Sequence, residues 1–413
     1  MSFLFVTGMF RSGTTLLAKM LDAHPEISFA SDPYRPLFND FRDLIKEGSK
    51  GLKEEPPQAP LSDYFCDDEG LALMKAIQES DLNRKISDER LQSLIPVMAQ
   101  RTLEFSPLIS ERMHALRGDT YKEVYESMMA LIQECYGKKD ASLIGSKEVW
   151  CTEFVSVLLR TFPDMKVILM VRDPRAVSAS RKKLVEGENY PWIFLARQWR
   201  KLATFTWLFS HSAEFRSSVM VVRYEDLVSD PVSMSRQICS FLGIPFASEM
   251  IDGTKFREGD GRSPWSANSS YGTCQGISTS FSQKWKEALE DEEIKFIELL
   301  CFPEMKLFAY EPMHPEVKTF PTGAVWNPLI IPPAQLAEWI KRYSNCNLIF
   351  NTVEMMKEHF RRQLLTLPDA ELSGIDSRII EALYIHPRFF NHIREWMQNG
   401  MKEEFQEISK NAR

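Results

Sequence analysis

Two arginine-bearing segments, far apart in the chain, carry residue types suited to gripping phosphate. The first runs FLFVTGMFRSGTTLLAKMLD from Phe3 to Asp22. Phe3-Leu4-Phe5-Val6 is a short apolar run of the kind that forms a buried strand. Gly8-Met9-Phe10-Arg11-Ser12-Gly13-Thr14-Thr15 follows without a break, and Leu16, Leu17, Met20 and Leu21 then recur at helical spacing. A strand, a glycine-bounded loop and a helix in that order wrap a phosphate in backbone N–H groups at the positive start of the helix. Gly8 and Gly13 permit the tight turn and the close backbone approach, while Thr14 and Thr15 add hydroxyl donors.

The loop nearly matches the nucleoside-triphosphate pattern G-x-x-x-x-G-K-[ST]. Thr14 stands where that pattern has lysine, and the cation has moved to Arg11 inside the loop. A triphosphate with Mg²⁺ needs the lysine on its β- and γ-phosphates. A ligand with one bridging phosphate carries less charge and can be held by Arg11 and the amides without metal. Taken alone, the loop reads first as a glycine-rich turn before a helix with no ligand.

The second segment is MKVILMVRDPRAVSASRKK, residues 165 to 183. Val167 to Val171 is a continuous apolar run, expected in a parallel sheet covered on both faces. Arg172 comes at its carboxyl end, Asp173 is placed to cap the next helix, and Pro174 suits that helix's first position. Ser180 lies eight residues beyond Arg172. Ligands of open α/β sheets sit at the carboxyl ends of the strands, so Arg172 and Ser180 can share a second phosphate, one by its fork and the other by its hydroxyl.

With both segments in view the chain resembles the sulfotransferases that use 3′-phosphoadenosine 5′-phosphosulfate (PAPS). The R-S-G-T-T loop is similar to their 5′-phosphosulfate loop, and R-D-P-R-A-V-S-A-S to their 3′-phosphate motif. VVRYEDLVSDP at 221–231 and FLGIPF at 241–246 are also typical of them. The resemblance spans roughly residues 1 to 310, and LDAHPEISFASDPYR brings it closest to the tyrosylprotein and carbohydrate-type branch. It implies a P-loop-like, doubly wound parallel α/β sheet. It also implies a loop of Arg11, Ser12, Gly13, Thr14 and Thr15 on the 5′-phosphate, with Arg172 and Ser180 on the 3′-phosphate. The cytosolic small-molecule branch has K-T-H on a middle strand and a C-terminal R-K-G-x-x-G loop. Here Ser146-Lys147-Glu148-Val149 lacks that histidine, and no convincing equivalent of the loop is present.

In the branch it resembles, an acidic residue at the position of Asp32 takes the proton from the acceptor hydroxyl. A helix cap or turn aspartate before Pro33 is the competing role. Arg35 follows and can bind substrate or lower the Asp32 pKa. Lys147 matches a lysine that contacts the sulfuryl group or bridging oxygen, and Glu148 is the rival base. The resemblance further implies cofactor contacts for Tyr224, Ser269 and Lys284, with Trp285 as an anchor. His24, in L-D-A-H-P, is expected to pack a turn.

Residues 36 to 140 are expected to form a helical insertion, with a proline-rich connector LKEEPPQAPLSDYF at 52–65. DERLQSLIPVMAQRTL has helical apolar spacing, and 120–137 forms an amphipathic helix with Thr120 as its cap. The insertion either roofs an acceptor cleft or packs on the sheet. FLARQWRKLATFTWLF, with Arg197, Trp199, Arg200 and Trp207, either flanks an acceptor groove or fills the core. A proline-rich connector at 311–333 leads to a helical extension at 334–413, which can pack on the catalytic domain, mediate homodimerisation or bind a partner.

The 413 residues suit one α/β domain with additions, at 44% hydrophobic and 26% charged. A net charge of −7 argues against a general nucleic-acid or anionic-membrane binder. Seven scattered cysteines without a C-x-x-C pair indicate neither a disulfide framework nor a zinc site, and fit a reducing cytoplasm. No apolar run of about 18 residues suggests a transmembrane helix. Golgi members of the family carry such an anchor, so its absence predicts a soluble bacterial-type enzyme or a trimmed chain. The expectation is a PAPS-dependent sulfotransferase that leaves adenosine 3′,5′-bisphosphate and acts without metal on an acceptor of unknown class. A P-loop nucleotide kinase and a catalytically silent protein with the same fold are the alternatives.

Overall fold

The computed structural model describes residues 2–47, 68–182, 192–265, 271–272, 276–317, 357–358 and 360–399. Five strands form one sheet in the order β2-β3-β1-β4-β5. They are β1 (Ser2–Gly8), β2 (Ile27–Ser31), β3 (Leu143–Val149), β4 (Lys166–Val171) and β5 (Val219–Arg223). Every neighbouring pair is parallel. Strand side chains alternate between the two faces. Leu4, Val6, Ile168, Met170, Met220 and Val222 join one core with helix α1 (Thr14–Ala23). Phe5, Ile144, Val167, Leu169 and Val219 join the opposite core. Both faces are buried, which is why the strands are apolar runs rather than alternating ones.

The insertion is helical in its described parts: α2 (Arg35–Glu47), α3 (Asp68–Gln78), α4 (Asp88–Thr102), α5 (Pro107–Arg112) and α6 (Tyr121–Tyr136). Ser87 caps α4 by accepting from Arg90 N, and Thr120 caps α6 by accepting from Glu123 N. Met128 and Met129 are core residues. Helices α7 (Val155–Thr161), α8 (Pro174–Lys182), α9 (Trp192–Ser210), α10 (Tyr224–Ser229), α11 (Pro231–Leu242), α12 (Trp285–Ala288) and α13 (Asp291–Cys301) complete the body.

The described part of the extension, with α14 (Asp369–Leu372), α15 (Ser377–Tyr384) and α16 (Pro387–Gln398), packs onto α9 and α13. Buried Glu358 accepts from Arg197 Nε at 2.9 Å and from Arg200 Nη1 at 2.5 Å. These charges hold the Glu358 carboxyl far below its ordinary range despite the opposing effect of burial. Trp199 is 1% exposed and donates its indole N–H to Arg172 O. The aromatic helix α9 is therefore core, and its two arginines bolt the extension in place rather than flank a groove.

Candidate active site

The strand order makes β1 the turning point, with its successors in sequence on either side. The crevice above that point is where open α/β sheets bind ligands. Each strand delivers residues there from its carboxyl end: Asp32 after β2, Lys147 and Glu148 on β3, the Arg11 loop after β1, Arg172 after β4 and Tyr224 after β5.

The first loop is built to leave donors open. Gly13 takes the left-handed conformation at φ 93° as the N-cap of α1 and supplies no side-chain cap. No acidic residue stands in the first turn, so the helix start keeps amide donors and a positive dipole end for an anion. A Cβ on Gly13 would fall 2.3 Å from the Tyr224 ring, which explains glycine there. Ser12 braces the loop instead of reaching outward, its hydroxyl donating to Met9 O at 2.6 Å.

The two arginine segments meet at this edge. Arg11 Nε donates to Ser180 Oγ at 2.9 Å, and Arg172 Nη1 donates to Arg11 O at 3.0 Å. Arg172 Nη2 reaches Phe281 O at 3.1 Å, and its guanidinium lies 4.2 Å from the centroid of the Tyr224 ring. Arg172 Nε is buried with no hydrogen-bond partner among the described residues. A buried donor left without a partner among the described residues is open to a further acceptor. Around it the frame is rigid. Asp173 accepts from Arg175 N, Arg175 Nη1 donates to Glu298 at 2.6 Å, and the Arg175 guanidinium stacks on Trp285 at 4.2 Å. Trp285 anchors the 278–285 segment beside Arg172. Lys284, by contrast, is partly exposed and pairs with Glu287, so it does not join the cluster. Ser269 lies outside the described residues.

On the other side of the loop the charges are buried. Asp32 takes the left-handed conformation at φ 48° and its N–H donates to Lys147 O at 2.7 Å. This turn aims the Asp32 carboxylate back at Lys147 Nζ, and the two form an ion pair with 6% and 2% side-chain exposure. The second oxygen, Asp32 Oδ1, has no hydrogen-bond partner among the described residues. Glu148 is fully buried and accepts from Tyr34 N. Burial first and the Asp32 charge second push the Glu148 carboxyl up to about 8. Arg35, 9% exposed, has its pKa lowered chiefly by burial, and the charges of Glu148 and Asp32 oppose that shift. His24 is buried, facing Pro245 O and accepting from Glu26 N, and holds a turn as expected.

A family model described as the sulfotransferase family matches residues 4–248. This chain belongs to the sulfotransferase family. Carbohydrate sulfotransferase 3 of Tetronarce californica is 28% identical over 176 residues, 38% of this chain and 39% of that protein. Carbohydrate sulfotransferase 5 of Mus musculus is 25% identical over 341 residues, 76% of this chain and 82% of that one. The chain spans only 39% and 42% of the length of two carbohydrate sulfotransferase 3 relatives it matches. The sulfotransferase domain of the Synechococcus PCC 7002 olefin synthase aligns over 75% of this chain and 95% of that domain, at 19% identity and a TM-score of 0.46. Among the described residues no helix is long and apolar enough to cross a membrane.

Proposed function

We propose that the protein moves a sulfuryl group from PAPS to a hydroxyl of a saccharide acceptor. The observation that carries the reading is the junction of Arg11, Ser180 and Arg172, which unites the two phosphate-type segments at one sheet edge. The open first turn of α1 suits the 5′-phosphate, with Thr14 and Thr15 as hydroxyl donors. Arg172, with its orphaned Nε, and Ser180 suit the 3′-phosphate. That second phosphate supplies binding energy remote from the reacting atom, which serves orientation. Asp32 takes the acceptor proton through its unpartnered oxygen, with Glu148 as the rival base. Lys147 and Arg11 stabilise charge developing on the sulfuryl and bridging oxygens. The saccharide class comes from the names of the carbohydrate sulfotransferase relatives.

Calorimetric titration of adenosine 3′,5′-bisphosphate in the presence of a chelator tests the donor half. Transfer of ³⁵S from labelled PAPS into a saccharide panel tests the reaction. Binding without metal and label in a saccharide are expected, both lost in Arg11→Ala. Binding confined to ATP with Mg²⁺ would replace this reading with a nucleotide kinase.

A further inference from the structure

The peptide group between Arg172 and Asp173 is held from both sides by side chains. Its carbonyl accepts from the Trp199 indole N–H at 2.8 Å, and its N–H donates to Glu225 Oε1 at 3.2 Å. A peptide group is planar, so pinning both ends fixes the direction in which the Arg172 side chain leaves the backbone. Further out, the guanidinium is keyed to Arg11 O, Phe281 O and the Tyr224 ring. Parallel pairing of Val171 with Arg223 sets the two strand ends side by side. Tyr224 then meets the Arg172 side chain while Glu225 meets its peptide group.

Glu225 is itself fixed. Tyr310, 4% exposed, donates its hydroxyl to Glu225 Oε2 at 2.7 Å, and the Arg223 guanidinium lies 4.7 Å from the Tyr310 ring centroid. Burial first and the Asp173 charge second raise the Glu225 carboxyl, with the Tyr310 bond and the Arg172 charge opposing them. A neutral acceptor would satisfy a single amide at lower cost than a carboxylate drawn out of water beside a second one. What the carboxylate adds is two acceptor oxygens at a fixed separation, one on the peptide group and one on a buried tyrosine. We propose that Glu225, locked by Tyr310, is a positioning residue that presets the Arg172 fork for the 3′-phosphate of the donor nucleotide. A fork ordered in advance loses less freedom when the nucleotide arrives, and the saving appears as affinity. The role rests on the donor half of the proposed function.

The test is a calorimetric titration of the full chain with adenosine 3′,5′-bisphosphate and with adenosine 5′-monophosphate, which lacks the 3′-phosphate. The unaltered protein is expected to prefer the bisphosphate. Tyr310→Phe keeps the ring and removes the hydroxyl. It should weaken the bisphosphate roughly tenfold, the lower end of what losing a partner that orients a ligating side chain costs at metal sites, and leave the monophosphate within about twofold. Glu225→Gln keeps an oxygen for the Asp173 N–H and should retain most of the preference, whereas Glu225→Ala should reduce it at least as much as Tyr310→Phe. On an Arg172→Ala background Tyr310→Phe should change bisphosphate affinity no further, because effects carried through one residue do not add. Thermal unfolding checks that each variant folds. A preference that both Tyr310→Phe and Glu225→Ala leave intact, an equal fall for the two nucleotides, or a full further loss on the Arg172→Ala background overturns the role. An unaltered protein without a preference for the bisphosphate overturns the donor reading and the role with it. The two failures are read from different proteins, one from the variants and the other from the unaltered chain.

Discussion

On the β1–β4–β5 half of the sheet edge, Arg172 donates to two main-chain carbonyls and lies on the Tyr224 ring. On the β2–β3 half, Lys147 donates to the Asp32 carboxylate. Carbonyls orient a guanidinium without cancelling its charge, so the first half keeps a fixed positive field for anions. In the second half cation and carboxylate are paired and dry. On the proposed reading the same strand ends serve two purposes, binding on one side and proton and charge management on the other. Substitutions that separate binding from rate test the division directly.

The largest effect is expected from Lys147→Ala. Removing a donor aimed at developing charge typically lowers the rate by roughly 10²–10³. Affinity for adenosine 3′,5′-bisphosphate should stay within about threefold, because the lost contact belongs to the reacting group rather than to ground-state binding. The variant also strands a buried carboxylate, so a lower unfolding midpoint is expected alongside. Single-turnover transfer and nucleotide titration on one preparation measure both. A large loss of nucleotide affinity with little change in rate would put Lys147 in the binding half.

Arg172→Ala should do the reverse. A hydrogen bond to a charged group is worth about 1.5–3 kcal/mol, which is roughly a 10–100-fold loss of nucleotide affinity. At saturating donor the rate should fall far less. Weakened affinity that Arg172→Lys does not repair would point to the planar fork and its stacking on Tyr224 rather than to charge alone.

What the sequence disclosed follows the same division. The binding half is written in short-range patterns: an apolar strand, then Gly8, Arg11 and Gly13 at fixed offsets, and later Arg172 and Ser180 within one strand-to-helix passage. Asp32 and Lys147 were visible as strand-end residues, but their ion pair joins positions 115 apart in the chain. Ser106 left no mark, because its bonds to Ser31 join positions 75 apart in the chain. The docking of the extension was equally hidden. Arg200 and Glu358 meet across 158 residues, and no local pattern announces a buried pair. The sequence leaves α9 open between groove and core, and the bond from Trp199 to Arg172 O makes it core.

The smallest effect is a pH dependence of stability, and it probes the proton-managing half without any substrate. Burial and the Asp32 charge raise Glu148 from the ordinary carboxylate range to about 8 in the folded protein. Between those values the folded state holds a proton that the unfolded chain has released. Stability therefore falls as pH rises through that window. Glu148→Gln keeps the neutral shape and cannot ionise, so its urea midpoint should fall less than that of the unaltered protein between pH 5 and pH 8. The two curves should diverge steadily across the window, with the variant gaining in relative stability. Parallel curves would mean that Glu148 is already ionised in the folded state. The β2–β3 half would then hold balanced charges instead of a stored proton.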